Sequence, residues 1–191
     1  SAFKAAGCEI VTGVMIPPDF ATFWSQAAQQ GFKPKIVTIG KALLFPSAID
    51  ALGERGNGLS SEIWWSPNHP FKSGLTGQGC QALADAYTKA SGKPWTQPIG
   101  FQHALFEVAI DVLKRAKNPT DAKAILAAIT STDYQSIVGP VNWTGKPVKN
   151  VTKTPLVGGQ WQRKDGKFHL VITENKTAPN IPVGGKLQPL G

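Results

Sequence analysis

Apolar and polar positions in the first forty residues follow the order strand, helix, strand. Residues 9–16 form an almost continuous apolar run, which is typical of a strand buried on both faces of a parallel sheet. Residues 17–19 end this strand, and Asp19 is placed as the N-cap of a helix whose apolar residues lie three and four apart. Gly31 ends that helix, and residues 36–39 predict the next strand. The pattern predicts a βαβ unit with a right-handed crossover.

The remainder of the chain predicts further strands and helices on either side of a break. A strand at residues 59–65 is followed by the irregular residues 66–70, which we interpret as a hinge or domain boundary. Beyond it we predict amphipathic helices at residues 77–90, 101–116 and 119–129, a strand at 138–143, and a hairpin at 156–162 and 167–173. Residues 2–7 resemble the last turn of a helix, so we expect the sequence to begin within a longer protein.

The composition of the chain is that of an ordinary globular protein. It has 191 residues, of which 41% are hydrophobic and 17% charged, enough for one good-sized core or two small ones. The net charge is +8, but the lysines are scattered and no aromatic and basic platform accompanies them, so we expect no nucleic-acid binding. No apolar run reaches the roughly eighteen residues of a membrane span, and no signal peptide is visible.

Short motifs give no support for catalysis or for a cofactor. Residues 77–82 fit a glycine-rich dinucleotide pattern, but neither the preceding strand nor the later acidic residue accompanies them. The three histidines share no metal-ligand spacing, and the chain has no nucleophile elbow, phosphate-binding loop or HExxH motif. Cys8 and Cys80 are compatible with one disulfide or with two buried thiols, and the sequence leaves both open. We therefore predict no metal, no cofactor and no catalytic residue.

The order of these elements resembles that of a known protein family. The run at residues 7–13, the Pro-Pro turn and the helix that ends at residues 25–31 come first. The turn and strand at residues 137–143 follow, and then the hairpin at residues 158–168, in which a Gln-Trp pair precedes Lys-Asp-Gly-Lys. Over about residues 2–175, this order resembles the second lobe of type I periplasmic binding proteins of the branched-chain amino-acid transporter family.

The resemblance implies an α/β fold: a three-layer, parallel-sheet lobe of a type I periplasmic binding protein, plus helices of the other lobe. Residues 1–65 and 151–175 would form the second lobe, residues 66–150 the hinge and helical part of the first lobe, and residues 176–191 an irregular tail. The sheet of the first lobe, which the family's N-terminal half forms, is not part of this sequence. Because the helices at residues 101–129 would pack on that sheet, we expect the isolated chain to self-associate.

Family members have no catalytic residues, so the resemblance implies a binding function. It implies the periplasmic solute-binding component of an ABC importer, which closes two lobes over a small molecule and delivers it to permease subunits in the membrane. Two alternatives remain from other classes. One is a small α/β enzyme without a recognisable catalytic motif, and the other is a ligand-sensing domain of the same fold.

The expected ligand site follows from strand geometry, because open α/β sheets bind ligands beyond the carboxyl ends of their strands. The candidate ligand-binding residues at these ends are Met15, Ile16, Pro17, Lys41, Leu44 and Phe45. All except Lys41 are apolar and none carries a hydroxyl group, which suits a solute with a hydrophobic or aromatic body.

Lys41 determines which solute we expect. In amino-acid binders of the family, the matching position holds a carboxylate that binds the ammonium group of the ligand. A lysine in that place would repel an ammonium and attract a carboxylate. We therefore expect a small organic acid, aromatic acids included, rather than an α-amino acid. The alternative is that Lys41 points to solvent beside a loop, which would leave an amino-acid ligand open.

Overall fold

The computed structural model describes residues 1–191 and contains seven strands, six α-helices and one 3-10 helix. The strands are β1 (Ile10–Met15), β2 (Ile36–Lys41), β3 (Ser60–Ile63), β4 (Asp133–Ser136), β5 (Gly139–Asn142), β6 (Val157–Lys164) and β7 (Lys167–Glu174). The helices are α1 (Ala2–Ala5), α2 (Pro17–Gln29), α3 (Pro46–Asp50), α4 (Cys80–Ser91), α5 (Pro98–Ala116) and α6 (Ala122–Thr130), and the 3-10 helix covers Gly53–Gly56.

The chain divides into two compact units. Unit 1 consists of Ser1–Ile63 and Leu156–Gly191, and unit 2 is Trp64–Pro155. The end of the chain, which we predicted as a separate irregular tail, contains no helix or strand but is counted within unit 1. Its Ile181 is fully buried, and the N–H of Leu190 donates to the carbonyl of Lys35 at 2.7 Å. The tail is therefore packed onto unit 1 rather than detached from it.

Unit 1 is built on a five-stranded mixed sheet with the order β1-β2-β3-β6-β7. The first three strands are parallel, and the β6–β7 hairpin is added antiparallel to β3. The predicted βαβ unit is confirmed, because β1 and β2 pair in parallel along their whole length with α2 between them in sequence. The predicted hairpin is confirmed as well, and its turn residues Asp165 and Gly166 have the positive φ angles that such a turn requires.

One face of this sheet carries the core of unit 1. Since side chains alternate along a strand, Val11, Val37, Ile63, Trp161 and Ile172 lie on the same face, and all are buried. The helix α3 contacts both β7 and the 3-10 helix. The indole N–H of Trp161 also donates to the carbonyl of Leu43 at 2.7 Å, which ties the loop after β2 to the sheet.

The prediction that β1 is buried on both faces is wrong. Ile10 and Val14 are 64% and 77% exposed, whereas Val11 on the opposite face is buried. The face of β1 that carries Ile10 and Val14 is left uncovered, so these apolar side chains face solvent. A continuous apolar run predicts two covered faces only if the covering elements are present on both sides.

The start of α2 also differs from the prediction. Asp19 is not the N-cap, because the helix begins at Pro17 and Ile16 takes the cap position. Prolines suit the first turn, since the N–H groups they lack would have no partner inside the helix. Asp19 instead lies in the first turn, where a carboxylate interacts favourably with the helix dipole.

Unit 2 consists of α4, α5, α6 and the β4–β5 hairpin, and its main core surrounds Trp65. The buried members of this core are Trp65, Cys80, Ala84, Ala104, Ile137 and Val138. The three predicted helices are confirmed with shifted ends, but β4 was not predicted. Both cysteines are free thiols, so the disulfide alternative is excluded, and Cys80 is buried while Cys8 is half-buried. None of the helices is both long and apolar enough to span a membrane.

Candidate functional site

The carboxyl ends of β1, β2 and β3 meet at one edge of the unit 1 sheet, which we call the carboxyl edge. The register of the β1–β2 pair places Met15 directly beside Lys41. Ile16 is the N-cap of α2 and Pro17 its first residue, and Phe45 is the N-cap of α3. Two strands therefore pass into proline-started helices at this edge, and these connections carry the predicted site residues.

The predicted residues differ in how far they are available to a solute. Lys41 is exposed, Ile16 is 43% exposed, and Met15, Pro17 and Phe45 are half-buried. Leu44 is buried at 3% exposure, so its side chain belongs to the core. The structure brings five of the six residues to the accessible surface of the carboxyl edge and removes Leu44 from it.

The backbone at Lys41 has an uncommon conformation that shapes the edge. Lys41 has a φ of 65°, in the left-handed region, where a residue with a side chain loses roughly 1–2 kcal/mol. Its N–H donates to Oε1 of Glu62 at 3.1 Å, and the following N–H of Ala42 donates to the carbonyl of Gly40 at 2.7 Å. The chain turns sharply here and wraps around the Glu62 carboxylate.

Glu62 is a functional candidate that the sequence analysis did not identify. It lies on β3, next to the end of β2, and its second oxygen, Oε2, accepts from the hydroxyl of Ser61 at 3.1 Å. A Cβ at Gly40 would come within 3.0 Å of Oε2, so the glycine leaves room for the carboxylate. The sequence signal that could have identified Glu62 is a carboxylate near the end of the third parallel strand. The ends of neighbouring parallel strands lie side by side, so this carboxylate lies close to Lys41.

The two charged side chains at the carboxyl edge, Lys41 and Glu62, differ in how many partners they have within the chain. The structure contains three ion pairs, Lys35–Glu9, Arg115–Asp111 and Arg163–Glu54, and Lys41 takes part in none of them. The Glu62 carboxylate, in contrast, already accepts hydrogen bonds from Lys41 and Ser61. The exposed ammonium of Lys41 is thus the charge that remains available to an incoming anion.

The strongest pKa shifts occur in unit 2. Burial lowers the pKa of His69 to about 4. Burial likewise raises the pKa of the Cys80 thiol to about 11, so this thiol stays protonated near neutral pH. No group of three or more His, Cys, Asp or Glu side chains could hold a metal ion. The arrangement offers charge and apolar surface for binding.

Comparison with known proteins agrees with this fold. The family model described as periplasmic binding protein matches residues 1–167. No curated protein sequence gives a significant match. Among solved structures, the leucine-binding protein LivK of Thermotoga maritima has 16% identity and a TM-score of 0.70, with 92% of this chain and 47% of that chain covered.

Two further structures contain a bound solute. A solute-binding protein of R. palustris in complex with 4-hydroxybenzoate has 16% identity and a TM-score of 0.68, covering 98% of this chain and 48% of that one. LivJ from Streptococcus pneumoniae, in complex with isoleucine, has 12% identity and a TM-score of 0.60, covering 87% and 44%. This chain spans about half the length of these proteins. With the family model matching most of its length, the chain belongs to the periplasmic binding protein family.

Proposed function

We propose that this chain is part of the solute-binding component of an ABC importer in the periplasm, and that its solute is a small organic acid. Family membership supports the first part of this proposal. Unit 1 would be the second lobe, and unit 2 would supply the hinge and the helices of the first lobe. Permease subunits in the membrane would be the protein partners, and no step in this function requires catalysis by the chain.

The observation that carries the ligand proposal is the exposed, unpaired ammonium of Lys41 at the carboxyl edge. A carboxylate that pairs with it would be held at the position where open α/β sheets bind ligands. Met15, Ile16 and Phe45 would then contact the apolar body of the solute. The R. palustris complex is consistent with this proposal, because the same fold there holds 4-hydroxybenzoate.

A second candidate ligand is an amino acid, and Glu62 is the observation that favours it. A carboxylate next to an exposed lysine could bind the ammonium group of a zwitterion while Lys41 binds its carboxylate. The relatives in the LivK and LivJ structures are a leucine-binding protein and a complex with isoleucine. We rank this candidate second because Oε1 of Glu62 already accepts from the Lys41 N–H, and Oε2 shares the proton of the Ser61 hydroxyl with the carbonyl of Ile39.

Calorimetric titration of benzoate, 4-hydroxybenzoate and leucine into the intact two-lobe protein tests these alternatives. We expect the two benzoates to bind and Lys41→Ala to weaken them about tenfold or more, which corresponds to roughly 1.4 kcal/mol. Lys41→Arg should keep most of the affinity, and Lys167→Ala, at an exposed lysine of the distant hairpin turn, should have no effect. If leucine binds, and this binding survives Lys41→Ala but is lost in Glu62→Gln, the proposed ligand is an amino acid and not an organic acid.

The same samples separate a binding protein from an enzyme. After prolonged incubation, a binder returns its ligand unchanged, whereas an enzyme converts it. We expect proton NMR spectra of the benzoates to stay identical over the incubation. Appearance of a product that depends on the chain would contradict the importer proposal and favour the α/β enzyme.

A further inference from the structure

Unit 1 contains a cavity of about 420 Å³ at the edge of the sheet where the strands begin. Its lining includes Lys33 and Pro34, which precede β2, and Asn57, which precedes β3. The carboxyl edge with Lys41 lies at the other end of the same strands. Six residues of β2 separate the two ends by about 20 Å at roughly 3.3 Å per residue. The cavity is therefore separate from the proposed solute site, and we call it the amino-edge cavity.

The apolar walls of the amino-edge cavity are held in place by contacts within unit 1. Trp24 forms one wall, and its indole N–H donates to the carbonyl of Arg55 at 2.9 Å, while its ring stacks on Phe20. Phe32 and Pro34 form a second wall. Leu190 closes the cavity from the tail, whose backbone is bonded to Lys35. Two aromatic rings in fixed positions suit a flat aromatic ligand.

The charges that line the cavity favour an anion. Arg55 hydrogen-bonds only to neutral acceptors, with Nη1 3.5 Å from the carbonyl of Trp24 and Nη2 3.3 Å from the hydroxyl of Ser25. Neither Arg55 nor Lys33 belongs to any of the three ion pairs. The carboxylate of Glu54 is the acidic side chain of the lining, and Arg163 pairs with it. The unpaired side-chain charges of the lining are thus both positive, and in the 191-residue chain the terminal carboxylate of Gly191 adds one negative charge beside them.

The helix dipole also opposes an anion, because the cavity lies near the C-terminal end of α2, which is the negative end of that dipole. The carbonyl groups at that end are already occupied. Those of Ala27 and Ala28 accept from the N–H groups of Phe32 and Gly31, and the carbonyl of Gln30 accepts from the ammonium of Lys4 at 2.7 Å. Partial neutralisation by these donors weakens the dipole, and the two full positive charges of Arg55 and Lys33 outnumber the single negative charge of the Gly191 carboxylate.

We propose that the amino-edge cavity is a second ligand site of unit 1, which binds an aromatic carboxylate of about two fused rings. The volume lies within the roughly 300–1,000 Å³ of small-molecule sites. The rings would lie between Trp24 and Phe32, and the carboxylate would pair with the planar guanidinium of Arg55 and with Lys33. Arginine matches a carboxylate with two parallel N–H donors, so Arg55 is the main anchor.

Titration of 2-naphthoate into the 191-residue chain, followed by calorimetry and by NMR of the tryptophan indole N–H signals, tests this proposal. We expect binding that shifts the Trp24 signal, which the Trp24→Phe variant identifies by its loss. Arg55→Gln and Lys33→Gln should each weaken binding several-fold, and Arg55→Lys should recover part of the loss. The neutral analogue 2-naphthalenemethanol should bind more weakly than the acid.

Two controls assign the effect to this cavity. Lys41→Ala changes a charge at the carboxyl edge, and Lys176→Gln changes an exposed charge just after the end of β7, at the same edge of the sheet, and both should leave the affinity unchanged. Lys33 makes no hydrogen bond or ion pair in the structure, so Lys33→Gln keeps the test valid if Arg55→Gln impairs folding. Absence of binding, unchanged affinity in both cavity variants, or loss of binding in Lys41→Ala alone would overturn the proposal.

Discussion

Replacing Gly100 by alanine should destabilise unit 2, because this glycine in α5 lies against the ring of Trp65. A Cβ at Gly100 would come within 2.3 Å of Cγ of Trp65, whereas carbon atoms normally pack at about 3.5–4.0 Å. Trp65 is fully buried within the core of unit 2, so its neighbours would have to move with it. Overpacking of a core costs roughly 1–3 kcal/mol, and alanine recovers about 1 kcal/mol of helix propensity. With so short a contact we expect a net loss of about 2 kcal/mol.

A double-mutant cycle measures this contact directly. Urea unfolding gives the free energy of unfolding for the wild type, Gly100→Ala, Trp65→Phe and the double variant. Amide hydrogen exchange in α5 then assigns the change to unit 2. The smaller phenylalanine ring relieves the clash, so Gly100→Ala should cost little in the Trp65→Phe background. Gly13→Ala in β1, where an added Cβ meets no atom within 4 Å and φ is not positive, is the control and should be nearly neutral. An equal cost of Gly100→Ala in both backgrounds would refute the packing argument.

Three further predictions concern unit 2. Because the pKa of His69 is lowered to about 4 from 6.5, the unfolded state binds more protons between these values, and stability should fall by up to about 3 kcal/mol as the pH drops from 6.5 to 4; urea titrations should lose this dependence in His69→Gln. Glu107→Ala should cost about 1–3 kcal/mol in the same assay, because it leaves the buried N–H of Ile137 unpaired, and Glu107→Gln should cost less. Leu105 and Phe106 are 63% and 66% exposed on α5, so size-exclusion chromatography should show concentration-dependent dimers that serine at both positions reduces, and a monomer at all concentrations would contradict this.

The elements that sequence predicted best are those whose signals are local. The β6–β7 hairpin is one example, since Asp165 and Gly166 both have the positive φ angles that a two-residue turn needs and that these residue types tolerate. The helix α2 is another, because Gly31 follows its last turn with a φ of 62°. In each case the residues that determine the conformation lie next to one another in sequence.

Burial was predicted less well because it depends on neighbours that are distant in sequence. Val14 looks like a core residue within its apolar run, yet it is exposed because nothing covers that face of β1. Ile181 lies among prolines and glycines that predict irregular structure, yet it is fully buried. The strand β4 escaped prediction because its inward positions, Tyr134 and Ser136, are polar or only partly apolar. Periodicity reports which residues share a face, and the surrounding fold decides whether that face is covered.

The carboxyl edge shows the same division within a single site. Strand ends could be placed from the apolar runs, and Met15 and Lys41 are indeed neighbours in the β1–β2 register. The left-handed backbone conformation of Lys41 could not be predicted, because neither lysine nor the residues next to it favour that conformation over the right-handed one. It is supported by the hydrogen bond from its N–H to Glu62, a residue 21 positions away.

The energies indicate that Lys41 and Glu62 act as one unit in any ligand site at this edge. The left-handed conformation costs roughly 1–2 kcal/mol, and a hydrogen bond to a charged acceptor contributes about 1.5–3 kcal/mol, so the bond to Glu62 is sufficient to hold the turn. The direction in which Lys41 leaves the backbone therefore depends on the Glu62 carboxylate. Removing that carboxylate would be expected to relax the turn and to displace the ammonium as well as to remove a negative charge. A substitution of Glu62 would therefore change more than the charge that a ligand meets, because it would also change the position of the Lys41 ammonium.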